Sequence, residues 1–255
     1  MKNKTEWLQK AGRVVIPVVF WIGLWWILSA VVGKEWVLPS PKLVAETLIS
    51  FAKTKSFWTS AALSTGNILS GYLAGIASGV LLAVLCEKFT PVKMLFAPLL
   101  GVLRSTPVAS FIMLLWVFVN RSAVPFLIVL FIVMPIVFGN MSEGLSKTDR
   151  ELLEVAEVYD FSFFKKLRAI YVPQLLPFFS SAAVTGLGLA WKSGIAAEVL
   201  CAPLGSIGRS IFMAKRDVET AELFAYTAVV IALCFGFEAL VRLLLRGARK
   251  KRTAK

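Results

Sequence analysis

Apolar residues in this chain come in long runs, not in the one-face periodicity of soluble helices. Six runs approach or exceed the ~20 residues needed to cross a hydrocarbon core. They cover roughly residues 14–32, 61–85, 92–119, 123–141, 173–200 and 223–245. The expected fold is all-α: an integral membrane protein of about six transmembrane helices, one domain over 1–255 with a core at 60–245. Two polar stretches interrupt the pattern. Residues 34–58 contain Pro39 and Pro41 and suit a loop, with an amphipathic helix over 43–57. Residues 142–172 are the most polar interior stretch and do not suit a span.

Details within the runs sharpen the picture. Gly71, Gly75 and Gly79 fall four apart in the second run, on one helix face, where they admit a close neighbouring helix. Pro98 and Pro107 lie in the third run and predict a kink or a break. The first run lacks a small-residue cleavage site after it and reads as an anchor.

Composition agrees: 58% of residues are hydrophobic and only 17% charged. The net charge of +13 would suggest nucleic acid in a soluble protein. In a membrane protein it marks cytoplasmic loops, so no nucleic-acid partner is expected. With the amino terminus inside, the inner segments hold 18 Lys and Arg and the outer segments 8. That bias places both termini in the cytoplasm. Histidine is absent, which removes His metal ligands and His general bases. Cys86, Cys201 and Cys234 have no metal-like spacing and read as small apolar residues. No catalytic residue and no metal site is expected.

The segment 142–172 carries the strongest functional signal. Leu152, Leu153, Val155, Ala156 and Val158 give an apolar side, while Glu151, Glu154 and Glu157 recur at three-residue spacing. Asp149 or Ser146 suits the helix cap. A break near Asp160 and Ser162 would precede a second short helix over 163–169, giving a charged hairpin on which a soluble partner docks.

These residues resemble the coupling motif of permeases in binding-protein-dependent ABC importers. The motif runs Glu-Ala-Ala, three residues, Gly, nine residues, Ile-x-Leu-Pro. Here Glu154, Val155 and Ala156 take the first positions, Asp160 the glycine, and Ile170, Val172 and Pro173 the end. Asp is among the few non-glycine residues that accept a positive φ there. LPSP from Leu38, LRSTPVASFIMLLWVF from Leu103, and AWKSGIAAE from Ala190 followed by Gly205, Ile207 and Gly208 resemble the nitrate, sulfonate, taurine and bicarbonate branch. The resemblance covers roughly residues 35–245.

The resemblance implies the type I importer permease fold in a bacterial inner membrane. It also implies a second, identical permease copy, two ATP-binding subunits and an extracytoplasmic solute-binding protein. Coupling would rest on Glu154, Ala156, Glu157, Asp160, Ile170 and Pro173. The chain lacks a GxxxxGK[ST] phosphate loop, so ATP and Mg belong to the partner subunits and this chain carries no cofactor and is not an enzyme.

Ionisable groups inside the runs complete the reading. Arg104 and Lys192 are cations within spans, with Pro107 and Glu198 near them in sequence. Such groups line a water-filled path, pair internally, or snorkel. One reading places Arg104, Pro107, Lys192 and Glu198 along a path for a small anion. The other has Arg104 satisfying broken backbone carbonyls, and Lys192 pairing with Glu198 or reaching the interface. A secondary transporter or channel without ATPase partners is the alternative function; its coupling groups would have to be Arg104 and Lys192.

Overall fold

The structure, a computed structural model, describes residues 2–253, with side chains over 15–247. The terminal cations used for orientation (Lys2, Lys4, Lys10, Arg13, Arg249, Lys250, Lys251, Arg252 and Lys255) lie outside the described side chains. In chain order the helices are α1 (Lys2–Val32), α2 (Pro41–Ala52), α3 (Lys55–Lys88), α4 (Thr90–Ser105), α5 (Val108–Phe118), α6 (Val124–Ser146), α7 (Arg150–Val158), α8 (Phe163–Lys166), α9 (Val172–Cys201), α10 (Ile207–Arg216) and α11 (Thr220–Thr253). A π-helical turn, Leu167–Tyr171, joins α8 to α9. Among the described residues five helices are long and apolar enough to span, or six when the bent pair α4 and α5 counts as one.

Each expected span has its helix, with three corrections at the edges. The amphipathic helix expected over 43–57 is α2, which stops at Ala52; Lys55 and Phe57 already belong to α3. The backbone N–H and hydroxyl of Thr54 both bond the Phe51 carbonyl and end the helix there. The fourth span runs on to Ser146 as one helix with the apolar run. The second short helix expected over 163–169 is not separate: α8, the π turn and α9 form one 39-residue rod, Phe163–Cys201. Pro173 has no N–H to give Ala169, and its ring would press on that carbonyl. The wider π turn directly before it accommodates both.

The third run breaks where the proline rule requires. Thr106 and Pro107 are both extended, with ψ of 127° and 128°. A residue before proline is driven out of the α region, so Thr106 ends α4 and α5 starts afresh after a 113° bend.

The chain resolves into two compact units. One comprises residues up to Thr59 with Ser210–Val229. Its core is Val44, Phe51, Phe57 and Ala225, with Trp25 stacked on Phe224. The LPSP stretch finds its role here. Ser29 Oγ donates to the Leu38 carbonyl and Trp25 Nε1 to the Pro39 carbonyl. Ser40 caps α2 by accepting from Leu43 N, and Pro41 sits at the first helical turn, where its missing N–H costs nothing.

The other unit comprises Ser60–Arg209 and the residues from Val230 on. Its centre is α3, α6 and α9. The three glycines of α3 lie against Val129, Val133 and Val137 of α6, themselves four apart. A Cβ at Gly75 would stand 2.8 Å from Val133 Cβ, and one at Gly79 2.7 Å from Val137 Cβ. Gly194 of α9 closes on α3 likewise, where an added Cβ would meet Ile68 Cγ1 at 2.7 Å. Apolar lipid gives helices no hydrophobic reason to associate, so such close dispersion contacts hold them together. Ile112, Val124, Ile128, Ala197 and Cys201 form a second cluster where α5, α6 and α9 meet.

Candidate coupling segment and permeation residues

The helix α7 starts on Asp149, whose carboxylate accepts from Glu151 N at 2.9 Å and Leu152 N at 3.4 Å. Asp149 is therefore the cap and Ser146 is not. The end of α7 is equally defined. Phe161 N donates to the Ala156 carbonyl and Asp160 N to the Glu157 carbonyl, the paired bonds of a Schellman turn. Asp160 takes the left-handed position of that turn, with φ of +49°. The glycine of the coupling motif thus corresponds to a backbone conformation, and Asp meets it.

Within α7, Ala156 is buried and Glu154 and Glu157 are exposed. Glu157 is engaged by Lys166 of α8 at 3.5 Å. Leu152, Val155 and Val158 are exposed apolar side chains beside Glu154, and Phe163 and Phe164 are exposed at the start of the next rod. At the far end of the motif Ile170 is buried inside the π turn and Pro173 is exposed at the start of α9. The segment is thus a short rigid knob fixed between α6 and α9, with an apolar and acidic surface uncovered.

Glu198 occupies a different setting from the other ionisable residues. It is fully buried. Its Oε2 accepts from Ser64 Oγ at 2.7 Å and from Gly208 N at 3.1 Å, and Ser64 Oγ accepts in turn from Ile207 N at 2.9 Å. The carboxylate therefore ties α3 and α9 to the first residues of α10. Gly208 is required for this: a Cβ there would sit 2.2 Å from Glu198 Cβ. Lys192 does not pair with Glu198. Six positions along a helix turn the side chain by about 120° net, onto another face. Ser64 gives no sequence signal beyond a small polar residue in an apolar run.

Arg104 lies in the last turn of α4 and donates from Nη2 to the Pro135 carbonyl of α6 at 2.7 Å. Its guanidinium rests over Gly139, where a Cβ would be 2.5 Å from Nη2. This joins the broken α4–α5 element to α6. Pro107 stands at the bend of that element.

Lys192 is exposed on α9 and lines a cavity of about 480 Å³ between α9 and α11. Gly188, Trp191, Lys192 and Ile195 come from α9; Val230, Ile231, Cys234, Phe235 and Glu238 come from α11. The spacings put each set on one helix face. Trp191 is buried and stacks on Phe237 with ring centroids 5.7 Å apart, so it is a core residue of this unit.

The knob fixed between spans, ended by a left-handed turn where the coupling motif has glycine, has counterparts among known proteins. Residues 71–250 match the model of the binding-protein-dependent transport system inner membrane component. The chain belongs to this family. As such a component it is a multi-pass inner-membrane permease subunit of an ATP-driven importer, working with a solute-binding protein and with separate subunits that hydrolyse ATP. A Bacillus subtilis (strain 168) protein named for aliphatic sulfonates transport, SsuC, is 25% identical, over 99% of this chain and 91% of that relative. The taurine transport system permease protein TauC of Escherichia coli (strain K12) is 23% identical, over 92% and 86%. The bicarbonate transport system permease protein CmpB of Synechocystis sp. (strain ATCC 27184 / PCC 6803 / Kazusa) is 26% identical, over 94% and 92%. The crystal structure of an amino acid ABC transporter with histidines shares the fold, with a TM-score of 0.61 and 16% identity over 80% of this chain and 98% of that one.

Proposed function

We propose that two identical copies of this permease enclose a path for a small anionic solute, with both termini and α7 in the cytoplasm. The relatives named for aliphatic sulfonates, taurine and bicarbonate transport support an anion. So does Lys192, an exposed cation in a spanning helix. An uncompensated positive charge lowers the barrier for an anion and raises it for a cation. Lys192 acts on the path, and Arg104 adds positive potential while its bond to Pro135 holds the bend at Pro107.

The observation that carries the coupling role is α7 itself: capped at Asp149, stopped by the left-handed turn at Asp160, and uncovered at Glu154. An ATPase subunit would grip this knob and move α6 and α9 with it. Glu154 is exposed and makes no ion pair among the described residues, whereas Glu157 is shared with Lys166. Glu154→Lys reverses its charge and is expected to abolish substrate-stimulated ATPase activity in reconstituted complexes while membrane insertion persists. Unchanged stimulation and uptake would remove α7 from the mechanism.

A further inference from the structure

We infer that the cavity between α9 and α11 binds an organic anion with an apolar body, in preference to a bare inorganic oxyanion. The inference deepens the reading of Lys192 as a path cation and rests on it. Size argues first. The cavity is half open, and its volume of about 480 Å³ falls within the roughly 300–1,000 Å³ of small-molecule sites. An oxyanion of four or five atoms would leave most of it empty.

The walls argue second. Ile195, Val230, Ile231 and Phe235 offer carbon, not hydrogen-bond donors. An inorganic oxyanion entering there would lose its hydration and gain few bonds in return, which is costly for a charged group. An alkyl or aryl tail would gain from the same walls. Charge argues third. Two charged side chains, Lys192 and Glu238, line the cavity. Glu238 is already engaged by Arg242, whose Nε donates to Oε1 at 3.0 Å. No hydrogen bond or ion pair among the described residues engages the Lys192 ammonium. The cavity therefore presents one uncompensated cation at an apolar wall, the complement of a sulfonate or carboxylate on a hydrocarbon body. Gly188 widens it: a Cβ there would meet nothing within 4 Å.

Cys234 makes the test direct. It lines the cavity and is half-buried, whereas Cys86 and Cys201 are buried. The permease–ATPase complex, in lipid nanodiscs without binding protein, is alkylated with N-ethylmaleimide, and the Cys234 peptide is followed by mass spectrometry. Benzenesulfonate at ten times its half-protecting concentration should slow labelling about tenfold by mass action. Nitrate, bicarbonate and neutral benzyl alcohol at the same concentration should leave the rate unchanged. Lys192→Gln and Gly188→Leu should each abolish the protection, and Gly188→Leu fills open space and leaves the packed faces alone. Equal protection by nitrate, by bicarbonate or by benzyl alcohol, or protection that survives Lys192→Gln, overturns the inference. Uptake of labelled ethanesulfonate and labelled nitrate, by proteoliposomes with all subunits, separates the two readings. Wild-type uptake in Lys192→Gln removes Lys192 from the path and the inference with it. Lost uptake without benzenesulfonate protection keeps the path and overturns only the organic-anion site.

Discussion

Ser64 and Glu198 stand 134 positions apart, yet Ser64 Oγ donates to Glu198 Oε2 at 2.7 Å, and neither residue is exposed at all. Two helices and the start of a third hang on that carboxylate oxygen, because Gly208 N donates to it as well. Glu198→Ala leaves both donors without an acceptor, at about 1–3 kcal/mol for each buried orphan. The purified complex should melt at a distinctly lower temperature, and Glu198→Gln, which keeps one acceptor oxygen, should fall between. A melting point for Glu198→Ala equal to wild type would show that the clasp contributes nothing.

The glycine face of α3 offers a packing test. Gly75→Ala drives a methyl to 2.8 Å from Val133 Cβ. Overpacking of this kind costs about 1–3 kcal/mol. The double variant Gly75→Ala with Val133→Gly, which removes the Cβ that the new methyl meets, should recover part of the loss. Recovery is the informative outcome, since a loss from helix propensity is excluded by alanine's preference for helix. Thermal unfolding in detergent reads both.

Asp160 tests the turn that ends α7. Its φ of +49° strains any side chain without a local hydrogen-bonding group, by about 1–2 kcal/mol. Asp160→Gly should be tolerated with full ATPase coupling. Asp160→Val should lower coupling, because a β-branched residue resists that conformation. Equal ATPase stimulation in the two variants would mean the turn's geometry does not matter for coupling.

Orientation can be read by labelling. Ser146 and Ser50 are both exposed, at the end of α6 and in α2. With a single cysteine at each position, an impermeant maleimide applied to intact spheroplasts should label position 50 and spare position 146 until the membrane is opened. Labelling of position 146 from outside would invert the proposed topology.

The apolar runs by themselves determined the helices, because a segment in lipid must satisfy its own backbone and only a helix does so locally. The break at Pro107 was legible for the same reason: proline acts on its immediate neighbour through fixed covalent geometry. The cap at Asp149 and the left-handed turn at Asp160 are also local: the residues offered Asp149 beside Ser146 as the cap, and the resemblance to the coupling motif marked Asp160 for the turn. What spacing could not give was which faces meet. Ser64 reaches Glu198, and Arg104 reaches the Pro135 carbonyl, across loops of the chain that carry no local trace of the pairing. Lys192 and Glu198 are near in sequence, but helical rotation sends one to a cavity wall and the other into the core. The continuity of α8 with α9 was likewise hidden, because charged residues and a proline look like a loop until a π turn carries the helix past them. Local chemistry sets the elements; tertiary packing decides which polar groups are shared and which stay free, because partners far apart in sequence are chosen only when helices close on one another.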